Sequence, residues 1–286
     1  MPRQYLLGMY EKATPAELTW IECLDVARDS GFDYVEISID ESSERLERLE
    51  WTPGRRRDLV RAMGSTGMPI RSLCLSAHRS YPLGARDPEV ARRSLQIMEG
   101  ALGLACDLGI RMIQLAGYDV YYEEGSPETR ARFEENLARA VEMAARSGVL
   151  LGFETMETPF MDTVEKAMAY VTKIDSPYLG VYPDVGNLTN AALLYGGSVA
   201  GDLAVGRGHI LAAHCKETVA GKYRDLPFGT GTTDYEGALD ELVAQGVRRY
   251  VAEFWYLGSE RWREEVAASA CYVREKIDAA FSRAEG

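Results

Sequence analysis

Short apolar runs alternate with longer segments of helical periodicity along the whole chain. Apolar runs of about four to eight residues, bounded by polar residues or glycine, are typical of strands buried on both faces, as in parallel sheets. The predicted strands span residues 5–10, 32–39, 70–77, 112–116, 150–154, 178–182, 210–213 and 250–252. The pattern therefore predicts eight strands, each followed by a helical or connecting segment.

Capping residues and glycines give the predicted bounds of the helices. Thr14-Pro-Ala-Glu17 has the sequence of a capping box with proline at the first helical position, and Gly31 is expected to end that helix. The other predicted helices span 52–67, 87–108, 126–147, 163–173, 234–245 and the segment from 259 onward. Residues 40–50 are predicted to form a charged connector, 187–208 a loop with only a weak helix, and 218–233 a long glycine-containing loop.

Eight consecutive strand-helix units without a break in composition predict a single (β/α)₈ TIM barrel over residues 1–286. The main alternative is an open, doubly wound sheet, whose first loop is usually rich in glycine. Gly8 stands alone after the first strand, however, and Gly229-Thr-Gly231 lies outside any GxGxxG frame. Active sites of TIM barrels form at the carboxyl ends of the strands, so we expect the active site there.

Composition excludes several classes of function. A net charge of −12 argues against a nucleic-acid-binding surface, because phosphate backbones require a basic face. The sequence has neither a run of about 18 apolar residues nor a signal-peptide pattern, so we expect a cytoplasmic protein without a membrane partner. Five cysteines without a CxxC pair indicate reduced thiols, and neither a disulfide framework nor a zinc knuckle.

Four residues with metal-binding side chains end the last four predicted strands. Glu154, Asp184, His214 and Glu253 recur at intervals of about 30 to 40 residues, the length of one βα unit. Each alone could be an ordinary loop residue. Three carboxylates brought together, however, repel one another unless a cation neutralises them. Three oxygen ligands and one nitrogen ligand suit a single divalent metal ion, for which we expect Zn²⁺ or Mn²⁺, with Mg²⁺ and Co²⁺ as alternatives.

Further polar residues are expected at the same end of the barrel, and each has an ordinary structural role as its alternative. His78 and Arg79 follow the third strand, Glu157 follows the fifth, and Lys216 lies two residues past His214. An acidic protein must hold a phosphate with a local set of donors. For that group we predict Arg79, Lys216, Lys222, Arg224 and a backbone nest at Gly229 and Gly231. His209, at the opposite end of its strand, is expected to be structural.

The chain resembles the L-xylulose-5-phosphate (L-ribulose-5-phosphate) 3-epimerases over nearly its whole length. These belong to a group of sugar-phosphate isomerases and epimerases with a xylose-isomerase-like barrel. The most specific segments are Cys74-Leu-Ser-Ala-His-Arg79, Ile113-Gln-Leu-Ala-Gly-Tyr-Asp-Val-Tyr-Tyr122, Tyr182-Pro-Asp-Val-Gly-Asn-Leu188, His214-Cys-Lys-Glu-Thr218 and Pro227-Phe-Gly-Thr-Gly231. The resemblance implies the same four metal ligands. It also places Asn187 among the candidate substrate contacts, where the wider superfamily often has a histidine.

What the resemblance implies is a metal-dependent isomerase that epimerises C3 of a ketopentose 5-phosphate, interconverting L-xylulose 5-phosphate and L-ribulose 5-phosphate. The proton beside the ketone would be removed and returned on the other face, through an enediolate that the metal stabilises. Glu154 and Glu253 are the expected pair of catalytic residues, and Asp184 and His214 the remaining ligands. We also expect a homo-oligomer, a dimer.

Several other functions remain open from the sequence. On the same site, an aldose-ketose isomerase of the hexulose-6-phosphate type, an inosose-type dehydratase or an epimerase of free ketoses are alternatives. A barrel-type endonuclease acting at abasic DNA is disfavoured by the net charge and by the presence of only three histidines. A sugar-phosphate binder without catalytic activity is the last alternative.

Overall fold

A computed structural model describes residues 4–285, which contain eight strands in one parallel sheet. The strands are β1 (Leu6–Tyr10), β2 (Tyr34–Ile39), β3 (Ile70–Leu75), β4 (Met112–Ala116), β5 (Leu150–Glu154), β6 (Leu179–Val181), β7 (Ala213–Cys215) and β8 (Arg249–Ala252). Their order is β6-β5-β4-β3-β2-β1-β8-β7, so β1 pairs with both β2 and β8. All pairs are parallel, which places the carboxyl ends of the strands on one side of the sheet.

The two outer strands of this order, β6 and β7, are joined by isolated bridges. Val181 pairs with Ile210 and Asp184 pairs with His214, both in the parallel sense. The His214 amide donates a hydrogen bond to the carbonyl of Pro183 at 2.9 Å. This pairing sets two predicted metal ligands side by side.

Ten α-helices surround the sheet within the described residues. They are α1 (Trp20–Asp29), α2 (Ser43–Leu46), α3 (Pro53–Thr66), α4 (Pro88–Leu108), α5 (Pro127–Ser147), α6 (Val164–Ile174), α7 (Val185–Tyr195), α8 (Val199–Val205), α9 (Tyr235–Ala244) and α10 (Trp262–Glu285). Most of the predicted caps are confirmed. Thr52, Asp87 and Ser126 cap the amino ends of α3, α4 and α5, and glycines in the left-handed conformation follow all three.

The predicted start of the first helix is wrong. The helix begins at Trp20, where Thr19 and Glu22 form the capping box. Thr14 instead follows a 3₁₀ turn at Glu11–Ala13, and its hydroxyl donates to the Glu11 carbonyl at 2.9 Å. The Leu18 amide donates to the Pro15 carbonyl at 3.4 Å, so a turn precedes the helix at this point.

Other boundaries differ because short elements were not visible in the pattern. Segment 40–50 contains α2 and a 3₁₀ turn, and segment 187–208, predicted to be mostly loop, forms α7 and α8. Asp184 caps α7 by accepting a hydrogen bond from the Asn187 amide at 2.7 Å. The third strand ends at Leu75, where a 3₁₀ turn begins, and β7 lies a few residues later than predicted.

Three apolar clusters lie within the described residues, and the two larger ones involve the sheet. The largest contains residues of both strands and helices, while the smaller of these two consists of residues in or next to the strands. Tyr34 and Tyr182 belong to the smaller cluster and are almost completely buried. A Cβ atom at Gly8 would lie 2.5 Å from the Tyr34 ring, so this lone glycine makes room for the aromatic side chain. Among residues 4–285, no helix is long and apolar enough to cross a membrane.

Candidate active site

The four residues predicted to bind a metal come together at the carboxyl ends of the strands. Glu154 ends β5, Asp184 follows β6, His214 lies in β7 and Glu253 follows β8. One ligand atom from each lies within 4.8 Å of the others, and all four side chains are buried. We call these four residues the carboxylate-histidine cluster.

His214 is held so that one ring nitrogen faces the carboxylates. Its Nε2 lies 2.7 Å from Glu36 Oε1, and its Nδ1 lies 3.5 Å from both Glu154 Oε1 and Glu253 Oε2. The edge of the ring packs against Tyr182, with centroids 4.9 Å apart. A proton on Nε2 satisfies Glu36 and leaves the Nδ1 lone pair directed into the cluster.

Burial and neighbouring charges shift the pKa values of the three carboxylates in the cluster. Burial raises the pKa of the Glu154 carboxyl, and Glu253 raises it further. Burial also raises the pKa of Asp184 to about 7, against the effect of the Lys216 ammonium. Burial acts on Glu253 in the same direction, but Lys216 and His214 outweigh it and hold its pKa well below the usual range.

Burial and neighbouring charges act in opposite directions on the pKa of the His214 imidazole. Burial alone would lower the pKa of His214, but Glu36 and Glu253 more than compensate and raise that pKa well above its usual range. Protons thus neutralise part of the excess negative charge. A divalent cation placed among these groups would displace those protons.

The unpaired atoms of the cluster fit a metal ion. Within residues 4–285, Asp184 Oδ2, His214 Nδ1 and Glu253 Oε2 are buried without a hydrogen-bond partner. Lys216 Nζ lies 3.0 Å from Asp184 Oδ2, which makes an ion pair without hydrogen-bond geometry. Buried polar atoms are rarely left unsatisfied, and a set of carboxylate oxygens with one imidazole nitrogen is typical of Mn²⁺, Mg²⁺, Co²⁺ or Zn²⁺.

Sequence reasoning missed two buried polar side chains that form hydrogen bonds with residues of the cluster. Glu36 contacts His214, and the side-chain amide of Gln114 donates a hydrogen bond to Glu154 Oε2. Both residues are completely buried. The signal was present, since each is a buried polar residue inside a largely apolar strand, where an unpaired polar group is costly.

A cavity of about 50 Å³ lies next to the cluster, and most of the predicted substrate contacts line it. Arg79, Glu157, Asn187, Lys216 and Arg224 all contribute to its wall. The structure therefore brings these five residues to one site.

Arg79 and Glu157 are held in the cavity wall by aromatic residues. Glu157 accepts hydrogen bonds from the hydroxyls of Tyr118 and Tyr121 at 2.7 and 3.1 Å. The Arg79 guanidinium lies 4.9 Å from the centre of the Tyr121 ring. Burial opposes ionisation of Glu157, but the Tyr118 hydrogen bond and Arg79 leave its pKa below the usual value.

His78 is not brought to the cavity. Its Nε2 lies 3.1 Å from the Ser94 carbonyl, so the ring packs against α4 and does not line the cavity. Burial lowers the pKa of His78 to about 4, which keeps the imidazole neutral. The prediction that it contacts substrate finds no support in this position.

The predicted anion-binding nest already contains a carboxylate of the chain itself. The Gly229 amide donates to Glu217 Oε2 at 2.7 Å, and the Thr233 amide to Glu217 Oε1 at 3.3 Å. A Cβ atom at Gly231 would lie 2.6 Å from Glu217 Oε1. In this arrangement the Gly229 amide is engaged by Glu217 and Gly231 makes room for the same carboxylate, so phosphate binding by these two glycines stays a prediction.

Lys216 is also placed differently from its predicted role. Its ammonium lies 3.0 Å from Asp184 Oδ2 and 3.3 Å from Glu253 Oε2, and the residue is 6% exposed. Burial lowers its pKa, but Asp184 and Glu253 outweigh burial and raise it. Lys216 therefore carries its charge at the carboxylate-histidine cluster.

Comparison with known proteins assigns the chain to a family. Residues 24–275 match the xylose isomerase-like TIM barrel family. The chain is 43% identical over 278 residues to the L-ribulose-5-phosphate 3-epimerase UlaE of Escherichia coli (strain Crooks), covering 97% of this chain and 96% of the relative. It is 42% identical over 281 residues to UlaE of Salmonella heidelberg, covering 98% of both.

Solved structures agree in fold. An L-ribulose 3-epimerase superposes with a TM-score of 0.77 at 19% identity, covering 98% of this chain and 97% of the other. D-psicose 3-epimerase from Clostridium cellulolyticum H10, solved with D-tagatose, gives a TM-score of 0.80 at 15% identity, covering 95% and 99%. At such low identity these two structures support the fold alone. The match along the chain to the curated relatives goes further: this protein belongs to the xylose isomerase-like TIM barrel family and, within it, to the L-ribulose-5-phosphate 3-epimerases.

Proposed function

We propose that the protein is a metal-dependent 3-epimerase that interconverts L-ribulose 5-phosphate and L-xylulose 5-phosphate. The observation that carries this proposal is the buried carboxylate-histidine cluster, found in a chain 43% identical to enzymes named for epimerising L-ribulose 5-phosphate at C3. We also propose that the bridges between β6 and the segment before β7 complete a closed (β/α)₈ barrel around this site.

Each residue of the cluster has a distinct task in this proposal. Asp184 and His214 would hold a divalent cation, with Glu154 and Glu253 as further ligands. When bound, such a cation supplies Lewis-acid stabilisation of the negative charge that develops on substrate oxygens once a proton beside the ketone is removed. We expect Zn²⁺ or Mn²⁺, with Mg²⁺ and Co²⁺ as alternatives, and elemental analysis of purified protein identifies the metal.

In this proposal the two glutamates move protons at C3. Glu154 and Glu253 come from β5 and β8, with His214 between them at equal distance. The Gln114 side-chain amide donates a hydrogen bond to Glu154 Oε2, and Glu154 Oε1 is the oxygen that lies near His214. One carboxylate removing the C3 proton and the other returning a proton on the opposite face gives inversion at C3.

Two arginines at the cavity are the best-placed groups for the phosphate. The Arg79 Nε is buried without a hydrogen-bond partner among residues 4–285. Arg224 is 44% exposed at its side chain, lies over the Trp255 ring and is 3.7 Å from Glu157. Lys12 also lines the cavity, but its ammonium is paired with Asp40 at 2.5 Å. Guanidinium groups suit phosphate because they donate in a planar fork.

Kinetics with L-ribulose 5-phosphate and with L-ribulose distinguish residues that contact the phosphate from residues at the reaction centre. Arg79→Ala and Arg224→Ala are expected to lower the preference for the phosphorylated sugar by about 10- to 100-fold, since a hydrogen bond to a charged group contributes roughly 1.5–3 kcal/mol. Lys216→Met is expected to lower kcat for both sugars by a similar factor, because its charge lies at the cluster. The measurement is kcat/KM for both substrates.

Lys222→Ala is the matched control for these variants. Lys222 lies in the same loop as Arg224, and its ammonium contacts the Asp225 carbonyl. It is expected to keep the parent's phosphate preference. A preference unchanged in both arginine variants would remove them as phosphate contacts, and a preference lost in Lys216→Met would return that role to Lys216.

The proposed reaction is tested by identifying the product. Metal-loaded protein incubated with L-ribulose 5-phosphate is expected to give L-xylulose 5-phosphate, seen by ¹³C NMR. An aldose product would make the protein an isomerase, and loss of water would make it a dehydratase. Equal turnover of L-ribulose would indicate an epimerase of free ketoses.

A further inference from the structure

The carboxylate of Glu36 in β2 contacts His214, a residue of the cluster in β7. Glu36 is completely buried at the centre of β2, and its Oε1 lies 2.7 Å from His214 Nε2 in β7. Two strands, β1 and β8, separate β2 from β7 in the sheet, so this contact is not a consequence of strand pairing. Glu36 does not line the cavity and does not belong to the cluster itself.

Two hydroxyls fix the orientation of this carboxylate. Ser72 and Tyr182 both donate hydrogen bonds to Glu36 Oε2, at 2.7 and 2.9 Å. The other oxygen is thereby left for His214. A buried carboxylate with both oxygens assigned is a rigid acceptor, and it requires a proton on the nitrogen that it faces.

That requirement determines what the other ring nitrogen does. With the proton on Nε2, Nδ1 of His214 carries a lone pair that points between Glu154 and Glu253. Histidines that bind metals generally donate their other N–H to a carboxylate or carbonyl, which fixes the tautomer and increases the basicity of the ligand nitrogen.

We propose that Glu36 is a positioning residue of the metal site, which holds His214 in the Nε2–H tautomer with Nδ1 presented to the metal. The proposal rests on the metal-binding part of the proposed function. It assigns Glu36 no contact with substrate. A purely structural role for this buried side chain would predict a loss of stability without a specific change in metal binding.

Metal affinity distinguishes the two roles. Titration calorimetry with Mn²⁺ on metal-free protein is expected to give a Kd about 10–100 times higher for Glu36→Gln than for the parent, the range found for residues that orient metal ligands. Glu11→Gln is the matched control, because it makes the same change at another buried glutamate, whose carboxylate pairs with Arg45 and Arg48. Its Kd is expected to stay within a few-fold of the parent.

A second measurement uses the unaltered protein and decides the case even if Glu36→Gln does not fold. Long-range ¹H–¹⁵N NMR of the Zn²⁺-loaded parent is expected to show His214 protonated at Nε2, with Nδ1 shifted by the metal. The His78→Gln and His209→Ala variants assign the signals, since the chain has three histidines. A proton on Nδ1 would overturn the proposal.

The remaining outcomes are also decisive. A folded Glu36→Gln variant with the parent's Kd would overturn the role of Glu36 while leaving the metal site of the proposed function intact. A parent that binds neither Mn²⁺ nor Zn²⁺ would overturn both.

Discussion

Replacing His214 with alanine is expected to lower the metal affinity of the protein by one or more orders of magnitude. His214 contributes the one nitrogen ligand, and its removal leaves three buried carboxylates with a cavity in place of the ring. The measurements are metal content by elemental analysis and the Kd for Mn²⁺. The parent is expected to carry close to one metal ion per chain.

His209→Ala is the control for this substitution. His209 is an exposed histidine at the opposite end of the strand segment, and its replacement is expected to leave metal content unchanged. Alanine substitutions at Glu154, Asp184 and Glu253 complete the series. If all four single variants of the cluster keep full metal occupancy, the metal site lies elsewhere.

Replacing either Glu154 or Glu253 with glutamine is expected to lower kcat by about 10²–10⁴, the usual contribution of a general base. Glutamine keeps the shape of the side chain and one ligand oxygen, but it cannot accept or return the C3 proton. Metal content is measured on the same samples, so that loss of the cation is distinguished from loss of the base.

The control here is Glu165→Gln, which changes an exposed glutamate at the start of α6. Its kcat is expected to equal that of the parent. A rate within a few-fold of the parent in Glu154→Gln or Glu253→Gln would show that the residue concerned does not exchange the C3 proton.

Much of the fold was predictable because its signals are local. Thr52, Ser126, Gly109 and Gly148 cap helices through groups within a few residues of themselves, so the sequence alone indicates them. The convergence of the four cluster residues was predictable for a similar reason. A parallel sheet brings the carboxyl ends of its strands together, so a position at a strand end implies a shared site.

The errors arose where two local signals competed or where a distant contact decides. Thr14 and Thr19 both begin a sequence that fits a capping box, and only the contacts of the folded chain select Thr19. The Gly229 amide does bind an anion, but that anion is the carboxylate of Glu217 in the same chain. Glu36 is separated from His214 by 178 residues, and no local pattern links two positions so far apart.

Proton exchange at C3 tests the central claim most directly. We expect that L-ribulose 5-phosphate incubated with metal-loaded protein in D₂O gives L-xylulose 5-phosphate with deuterium at C3 and unchanged protons at C1, as seen by ¹H and ¹³C NMR. A second carboxylate that exchanges with solvent returns the proton, so solvent deuterium enters at each inversion. Deuterium at C1, or epimerisation without deuterium at C3, would contradict proton transfer by Glu154 and Glu253 at that carbon.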